Sequence, residues 1–231
     1  MIQNSNGFAP GPPPRAASVR VIAIDGPSAS GKSTLARMLA AELGWAYVDT
    51  GAMYRTFAWW CVALGLDVSD ERRVAAEISR WPTRLLCTDG QVQLLVNGYL
   101  PQNEMRTQAT TEAASKIAVH SRVRRWMVAR QRDCVRFGAL VVEGRNIGTR
   151  VFPEAEWKFF IEASIEARRD RRGGPSAGAD LAGRDRRDSQ RRGDPLMPAL
   201  GAIRIDNSAE TPGQTLERLL KFVRSSPEAP R

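Results

Sequence analysis

Five short apolar runs, rich in β-branched residues, alternate along the chain with segments whose apolar residues recur at helical spacing. Such runs are typical of strands buried on both faces, so the pattern predicts a parallel sheet covered by helices. The predicted strands are 19–25, 45–49, 139–143, 158–162 and 202–206. The predicted helices are 32–43, 52–64, 71–81, 104–118, 122–137, 165–172 and 211–223. The predicted fold is therefore α/β, a three-layer arrangement around five parallel strands.

One segment interrupts this alternation and predicts an antiparallel hairpin. Residues 83–88 and 91–96 flank Asp89-Gly90, a pair typical of two-residue hairpin turns. We interpret 80–102 as a small antiparallel insertion in an otherwise α/β chain.

The remaining organisation is that of one domain with a tail at each end. We expect the domain to span 19–224, with a Pro-rich disordered tail at 1–18 and a second tail at 225–231. Residues 168–192 are rich in arginine and contain a Gly-rich stretch, as expected of a mobile lid that grips phosphate. A solvated loop is the alternative for this segment.

The most specific motif lies between the first predicted strand and the first predicted helix. It matches G-x-x-x-x-G-K-[ST], the pattern of loops that wrap nucleotide phosphates. Gly26 and Gly31 allow main-chain amides to turn inward around an anion, and Lys32 can reach the β- and γ-phosphates. Ser33 can bind Mg²⁺, and the start of the helix adds the positive end of its dipole. We therefore predict that ATP or GTP binds this phosphate loop: Gly26, Pro27, Ser28, Ala29, Ser30, Gly31, Lys32, Ser33 and Thr34.

Two further polar segments follow predicted strands and carry arginines. Arg55 lies in the segment after the second strand, and Arg145 lies in the segment after the third. Because carboxyl ends of parallel strands line the ligand crevice of an open sheet, we expect both arginines to face a second anion beside the phosphate loop. Glu143 suits a carboxylate that orients Mg²⁺-bound water, or one that caps the next helix.

The positive net charge and the high arginine content have three possible explanations. The net charge is +9, and arginine supplies most of the positive charge, since the only lysines are Lys32, Lys116, Lys158 and Lys221. A basic chain suggests nucleic-acid binding, genomic base composition raises arginine content, and guanidinium groups grip phosphate in a bidentate manner. The aromatic residues favour the last explanation over nucleic acid, because they are mostly Trp and Phe in apolar helical stretches that are typical of a core.

Several classes of function are excluded by what the chain lacks. The only histidine, His120, lies in an Arg-rich stretch where we expect a solvated helix position, so a His-dependent triad is excluded. Cys61, Cys87 and Cys134 lack metal-ligand spacing and are expected to be reduced thiols of a cytoplasmic protein. No apolar run is long enough to span a membrane.

Segments 49–55 and 143–149 give the chain a family resemblance. Their sequences, Asp-Thr-Gly-Ala-Met-Tyr-Arg and Glu-Gly-Arg-Asn-Ile-Gly-Thr, resemble those of bacterial cytidylate kinases, which are nucleoside monophosphate kinases. The resemblance extends over about 19–223 and includes three shorter segments at 24–28, 105–107 and 151–153. It implies transfer of a phosphoryl group from ATP to CMP or dCMP with Mg²⁺, by a monomer without nucleic-acid or membrane partners.

The resemblance also implies roles for particular residues. Those expected to hold the acceptor phosphate are Thr50, Arg55, Arg145 and Arg191, those expected to face cytosine are Ser115 and Arg124, and those expected to contact the sugar are Arg184 and Asp188. The implied catalytic residues are Lys32, Arg145, Asp188 and Arg191. The arginines expected to close over ATP are Arg168, Arg171 and Arg172.

The chain departs from the family pattern at two places. Asn146 stands where the family usually has aspartate, and an amide can donate as well as accept a hydrogen bond. We therefore expect weaker rejection of UMP than in relatives. The lid is shorter and richer in glycine and proline than is usual for the family.

Two alternative functions remain open from the sequence. The first is a phosphate-loop kinase that acts on AMP or on a non-nucleotide metabolite. The second is a phosphate-loop protein that binds nucleic acid, which would show a steep dependence of affinity on salt.

Overall fold

The alternating apolar runs form one seven-stranded sheet with helices on both faces. A computed structural model describes residues 20–173, 181, 183, 185, 186, 188 and 195–225. The strands are β1 (Val21–Asp25), β2 (Ala46–Asp49), β3 (Thr83–Thr88), β4 (Gln91–Val96), β5 (Leu140–Gly144), β6 (Trp157–Glu162) and β7 (Ile203–Asp206). The helices are α1 (Lys32–Leu43), α2 (Thr50–Ala63), α3 (Glu71–Arg80), α4 (Gln108–Ile117), α5 (Ser121–Arg132), α6 (Ile165–Arg171) and α7 (Pro212–Ser225). The predicted α/β class is confirmed.

The sheet is larger than the five strands predicted. Its order is β3-β4-β2-β5-β1-β6-β7, and the five predicted strands are parallel neighbours within it. The hairpin is not separate from them, because β4 pairs in parallel with β2 through Tyr47 opposite Gln91 and Val48 opposite Val92. Among the strands of the described residues, only β3 runs antiparallel, at the edge. The expected antiparallel insertion therefore extends the main sheet.

The hairpin turn itself forms where Asp89-Gly90 predicts it. Both residues have positive φ angles, 51° at Asp89 and 71° at Gly90, as a tight turn between right-twisted strands requires. β3 and β4 then pair in register from Thr83 opposite Val96 to Thr88 opposite Gln91.

The core consists of two apolar layers, one on each face of the sheet. Every residue of β1 is buried, and its side chains alternate between the layers. Val21 and Ala23 pack with the layer that holds α2, α3, α4 and α5, whereas Ile22 and Ile24 pack with the layer that holds α1 and α7. This sandwich buries β1 at the centre and fixes the strand end from which the phosphate loop begins.

Two of the predicted helices are each divided into two shorter elements in the structure. Residues 104–118 are divided by Thr107, which ends a short 3-10 turn and caps α4 by accepting a hydrogen bond from the Thr110 amide. Residues 122–137 begin as α5 and finish as a 3-10 turn at Asp133–Phe137. No helix in the described part of the chain has the length and apolar character needed to cross a membrane.

The prediction for His120 was wrong. Its side chain is buried, with the residue only 8% exposed, and its Nε2 lies 2.8 Å from the Val68 carbonyl oxygen. The polar neighbours of His120 in sequence suggested solvent, but the residue lies before α5 and packs against a distant segment.

Candidate functional site

The site lies where three adjacent parallel strands end. β5 pairs with β1 on one side and with β2 on the other, so their carboxyl ends meet at one edge of the sheet. The phosphate loop (26–34) follows β1, α2 follows β2, and the segment 145–151 follows β5. The sheet therefore brings together the three segments whose motifs predicted phosphate binding, as expected for open parallel sheets.

Glycine is required at both ends of the phosphate loop. A Cβ at Gly26 would stand 2.3 Å from the Ile161 carbonyl oxygen, which is too close for any side chain. Gly31 has a φ of 88°, in the left-handed region that L side chains rarely adopt. These two positions give the loop the tight shape that the motif predicts.

Side chains behind the phosphate loop hold its carbonyl groups. Arg171 donates to the Ser30 carbonyl at 3.3 Å, and the Asn207 amide donates to the same oxygen at 3.0 Å. Arg168 donates to the Ser28 carbonyl at 3.3 Å and pairs with Asp185 at 2.6 Å. These bonds offset the partial negative charge of two loop carbonyls close to the expected anion.

The placement of Arg168 differs from the expectation that it closes over ATP. Its side chain is buried behind the phosphate loop, and it lines neither of the two cavities described below. Arg171 and Arg172 do line the second cavity, and Arg172 donates to the Ser28 hydroxyl at 3.1 Å. Of these three arginines, only Arg171 and Arg172 are therefore placed to meet a nucleotide.

A buried cluster of charges forms the floor of the site. Lys32 Nζ donates to the Pro27 carbonyl at 3.1 Å and lies 3.8 Å from Glu143 Oε2. Ser33 donates to Glu143 Oε1 at 2.6 Å. Burial, then repulsion by Arg145, lowers the pKa of Lys32 to about 8, while Glu143, Asp49 and Asp188 favour its charged form. The Glu143 side chain thus faces the phosphate loop rather than capping a helix.

The surroundings of the Glu143 carboxyl disfavour its charged form. Burial, and next the nearby charge of Asp49, raise its pKa above the ordinary value, while Lys32, the Ser33 hydroxyl and Arg145 oppose that rise. A cation beside Glu143 would favour the charged carboxylate.

The first cavity has a volume of about 280 Å³ and contains both predicted acceptor arginines. Arg55 and Arg145 line it together with Lys32 and Ser33, which belong to the phosphate loop. Asp49 orients Arg55 through a 2.9 Å ion pair and also accepts the Ala52 amide at 2.8 Å as the cap of α2. The guanidinium groups thus lie on the same side of the sheet as the phosphate loop.

The other predicted acceptor residues in the described part of the chain line the same cavity. Arg145 Nε donates to Asp188 at 2.8 Å, and Thr50 donates to the Glu143 carbonyl at 2.8 Å. Arg124 donates to the Ala118 carbonyl at 3.3 Å. The predicted residues that line this cavity are Lys32, Ser33, Thr50, Arg55, Ser115, Arg124, Arg145, Asn146 and Asp188. Arg184 and Arg191 lie outside the described residues.

A second cavity, of about 590 Å³, lies on the other side of the phosphate loop. Arg171, Arg172, Asn207 and Glu210 line it. Ala29, Lys32 and Ser33 line both cavities. Two ligands, one in each cavity, would therefore meet at these residues.

Sequence reasoning missed several residues of the site. Asn207 bonds both the phosphate loop and Arg171, and its position directly after β7 follows the strand-end rule that identified Arg55 and Arg145. The other missed residues that line a cavity include Tyr54, Thr111, Ala118, Val119 and Glu210. Tyr54 lies in the 49–55 motif but was given no role, and the others carry no motif, since their contribution depends on how the segments around α4 and α7 pack.

Comparison with known proteins agrees with this geometry. The family model described as cytidylate kinase matches residues 22–225. A cytidylate kinase of Geobacillus kaustophilus is 40% identical over 213 residues, covering 87% of this chain and 95% of that protein. A cytidylate kinase of Solibacter usitatus is 40% identical over 223 residues, covering 89% and 92% respectively. One of Streptomyces coelicolor is 39% identical over 228 residues, covering 94% and 96%. The chain therefore belongs to the cytidylate kinase family.

Proposed function

We propose that this chain transfers the γ-phosphoryl group of ATP to CMP, and to dCMP, to give CDP and dCDP. The observation that carries the proposal is the pair of cavities that share Lys32 and Ser33. Arg55 and Arg145 line only the first of these cavities, so the positive charge for a second phosphate faces the phosphate loop. Family membership supports CMP over the acceptors of other phosphate-loop kinases, and does not favour a nucleic-acid-binding role.

The acceptor needs no strong general base in this reaction. The attacking atom is an oxygen of the CMP phosphate, a monoester whose second pKa is about 6, so it is mostly ionised at neutral pH. The barrier comes instead from repulsion between two polyanions and from water competing as the acceptor. Lys32 and the guanidinium groups of Arg55 and Arg145 supply positive charge around the transferring group.

The walls of the first cavity would bind the rest of CMP. We assign the acceptor phosphate to Thr50, Arg55, Arg145 and Arg191, and the cytosine base to Ser115, Arg124 and Asn146. We assign the sugar to Arg184 and Asp188. Asp188 also holds Arg145 through its 2.8 Å contact, so sugar and phosphate recognition would be linked.

Mg²⁺ would fit at Ser33. The Ser33 hydroxyl and the Glu143 carboxylate are 2.6 Å apart, and hard oxygen donors of this kind suit Mg²⁺. The buried Glu143 carboxyl also has a raised pKa, which a nearby cation would lower. Bound there, Mg²⁺ would neutralise charge on the ATP phosphates, and Ser33 would hold it next to Lys32.

The proposal includes the setting of the reaction. Both cavities are lined by residues of one chain, so a monomer would suffice for catalysis. The cysteines are free thiols, in keeping with a cytoplasmic protein. We retain 19–224 as the catalytic domain and 168–192 as its lid, with Arg171 and Arg172 as the lid residues that contact ATP. Most of 168–192 lies outside the described residues.

The test is release of ADP from ATP over a panel of acceptors. The panel contains CMP, dCMP, UMP, AMP and non-nucleotide phosphate and hydroxyl acceptors, with ATP alone as the blank. We expect the largest kcat/KM with CMP, with dCMP second. A larger kcat/KM with AMP or with a non-nucleotide acceptor would contradict the proposal.

A further inference from the structure

Asp25, the last residue of β1, is a buried carboxylate that joins the two halves of the site. It is only 3% exposed, and the next residue along the chain is Gly26 of the phosphate loop. Its two carboxyl oxygens accept the main-chain amides of Ile147 and Gly148, each at 2.8 Å. The backbone of Asp25 therefore leads into the phosphate loop, and its side chain holds the segment that follows Arg145.

The two amides need an acceptor from outside their own segment. Ile147–Val151 is a short π-helical turn, and the first amides of a helical turn have no partner within it. Ile147 and Gly148 are both buried, so water cannot replace Asp25 as their acceptor without opening the structure. Asp25 thereby fixes the backbone that immediately follows Arg145 and Asn146.

The surroundings of this carboxyl act on its charge in opposite directions. Burial raises its pKa to about 6, and the two amides, Lys32 and Arg145 oppose that rise. The charge of Asp25 thus interacts with Lys32 of the phosphate loop and with Arg145 of the acceptor cavity. Asp25 would not bind a phosphate directly, because a carboxylate and a phosphate are both anions that accept hydrogen bonds.

We propose that Asp25 is a positioning residue that fixes Arg145 and Asn146 relative to the phosphate loop for transfer to CMP. This inference rests on the proposed function. In-line transfer requires the reacting atoms to be held within a few tenths of an ångström, and a misplacement of about 1 Å can cost roughly 10²-fold in rate. Loss of the Asp25 carboxylate should therefore reduce kcat more than it weakens ATP binding.

The test compares Asp25→Asn with the wild type and with Glu77→Gln. Asparagine keeps the shape of Asp25 but can accept from only one of the two amides without opposing the other with its NH₂ group. Glu77 is a matched control, since it is also a buried carboxylate with two donors, Trp60 and Arg80, and lines neither cavity. Both variants should have a lowered Tm.

The measurements are Tm, ATP affinity, and the kcat for CDP formation together with ADP formed without CDP. We expect Asp25→Asn to lose roughly tenfold to 10²-fold in kcat, to keep ATP affinity within about threefold, and to release more ADP per CDP. Glu77→Gln should keep its kcat near that of the wild type. An unchanged kcat in Asp25→Asn, or an equal loss in Glu77→Gln at matched Tm, would overturn the inference.

A second variant covers the case in which Asp25→Asn does not fold. A Cβ at Gly148 would stand 3.0 Å from the Ala199 side chain and 3.4 Å from the Lys158 side chain, so Gly148→Ala crowds the same backbone without altering β1. It should show the same loss of kcat with ATP affinity kept, and an unchanged kcat would contradict the inference. If the wild type itself does not phosphorylate CMP, the proposed function fails. That result is distinct from a loss of kcat, or an unchanged kcat, in the variants of an active wild type.

Discussion

The phosphate loop is one continuous segment, whereas the acceptor cavity is walled by side chains from several separate elements. Residues 26–34 lie together in sequence and are shaped by their own glycines. The acceptor wall combines Arg55 of α2, Ser115 of α4, Arg124 of α5 and Arg145 after β5. The difference teaches that the shape of the phosphate loop depends on local geometry, although Arg171 and Asn207 support it from distant segments, whereas every part of the acceptor wall depends on the packing of the whole domain.

Lys32 belongs to both sides, so its removal should have the largest effect. Lys32→Ala removes the cation that lines both cavities, and we expect kcat to fall roughly 10²- to 10³-fold, as on loss of one preorganised charged donor. ADP release with CMP measures the loss, and circular dichroism checks that the fold is kept. Lys221→Ala, at an exposed position of α7, is the control and should have wild-type activity. Full activity in Lys32→Ala would refute the assignment of the phosphate loop.

Substitution of Arg145 should affect CMP and ATP differently, because Arg145 lines the acceptor cavity and not the second cavity. Arg145→Ala would remove the charge-assisted hydrogen bonds that we propose for the acceptor phosphate, so kcat/KM for CMP should fall about 10- to 10²-fold. ATP affinity should change much less. Titrations of both nucleotides measure this difference, with the exposed Arg204→Ala as the control. Equal losses for CMP and ATP would argue against the placement of Arg145.

Gly144 tests how closely the acceptor wall is packed. A Cβ there would stand 2.5 Å from the Thr50 hydroxyl and 2.6 Å from the Ile147 side chain, so Gly144→Ala should destabilise the fold by about 1–3 kcal/mol. Urea unfolding measures the free energy of unfolding. Gly213→Ala is the matched control, since its Cβ would meet nothing within 4 Å, and it should be neutral or slightly stabilising. A Gly144→Ala variant as stable as the wild type would contradict close packing here, because Thr50 and Ile147 would then move aside without cost.

Asn146 should have the smallest effect, on the choice of base rather than on rate. Asn146→Asp removes the donor of the amide, and a carboxylate accepts the amino group of cytosine but repels the carbonyl of uracil. The ratio of kcat/KM for CMP to that for UMP should rise about tenfold, roughly the value of one hydrogen bond. Asn97→Asp, at an exposed turn, should leave the ratio unchanged. An unaltered ratio in Asn146→Asp would exclude this residue from base recognition.

The contrast between the two sides also determines what the sequence could predict. The phosphate loop, α1 and the Asp89-Gly90 turn depend on residues close together in sequence, and all three form where predicted. Arg55 and Arg145 were identified because strand ends of a parallel sheet share one edge, a rule that needs only the order of elements.

The errors arise where distant segments meet. The pairing of β4 with β2 joins the hairpin to the sheet through two residue pairs that no local pattern indicates. His120 is buried against Val68, and Arg168 turns behind the phosphate loop to bond the Ser28 carbonyl. In each case a partner far along the chain decides the outcome, which the hairpin pattern, the local polarity around His120 and the family resemblance of Arg168 do not indicate.

The central claim is that donor and acceptor phosphates meet at Lys32 and Ser33, and a linked ligand tests it most directly. In such a ligand, adenosine and cytidine are joined through a bridge of five phosphates. Linking two bound groups makes the second contact intramolecular and can raise affinity roughly 10²- to 10⁴-fold. The account predicts that this ligand binds more tightly than ATP or CMP and is displaced by either one. Binding no tighter than ATP, or displacement by ATP but not by CMP, would contradict it.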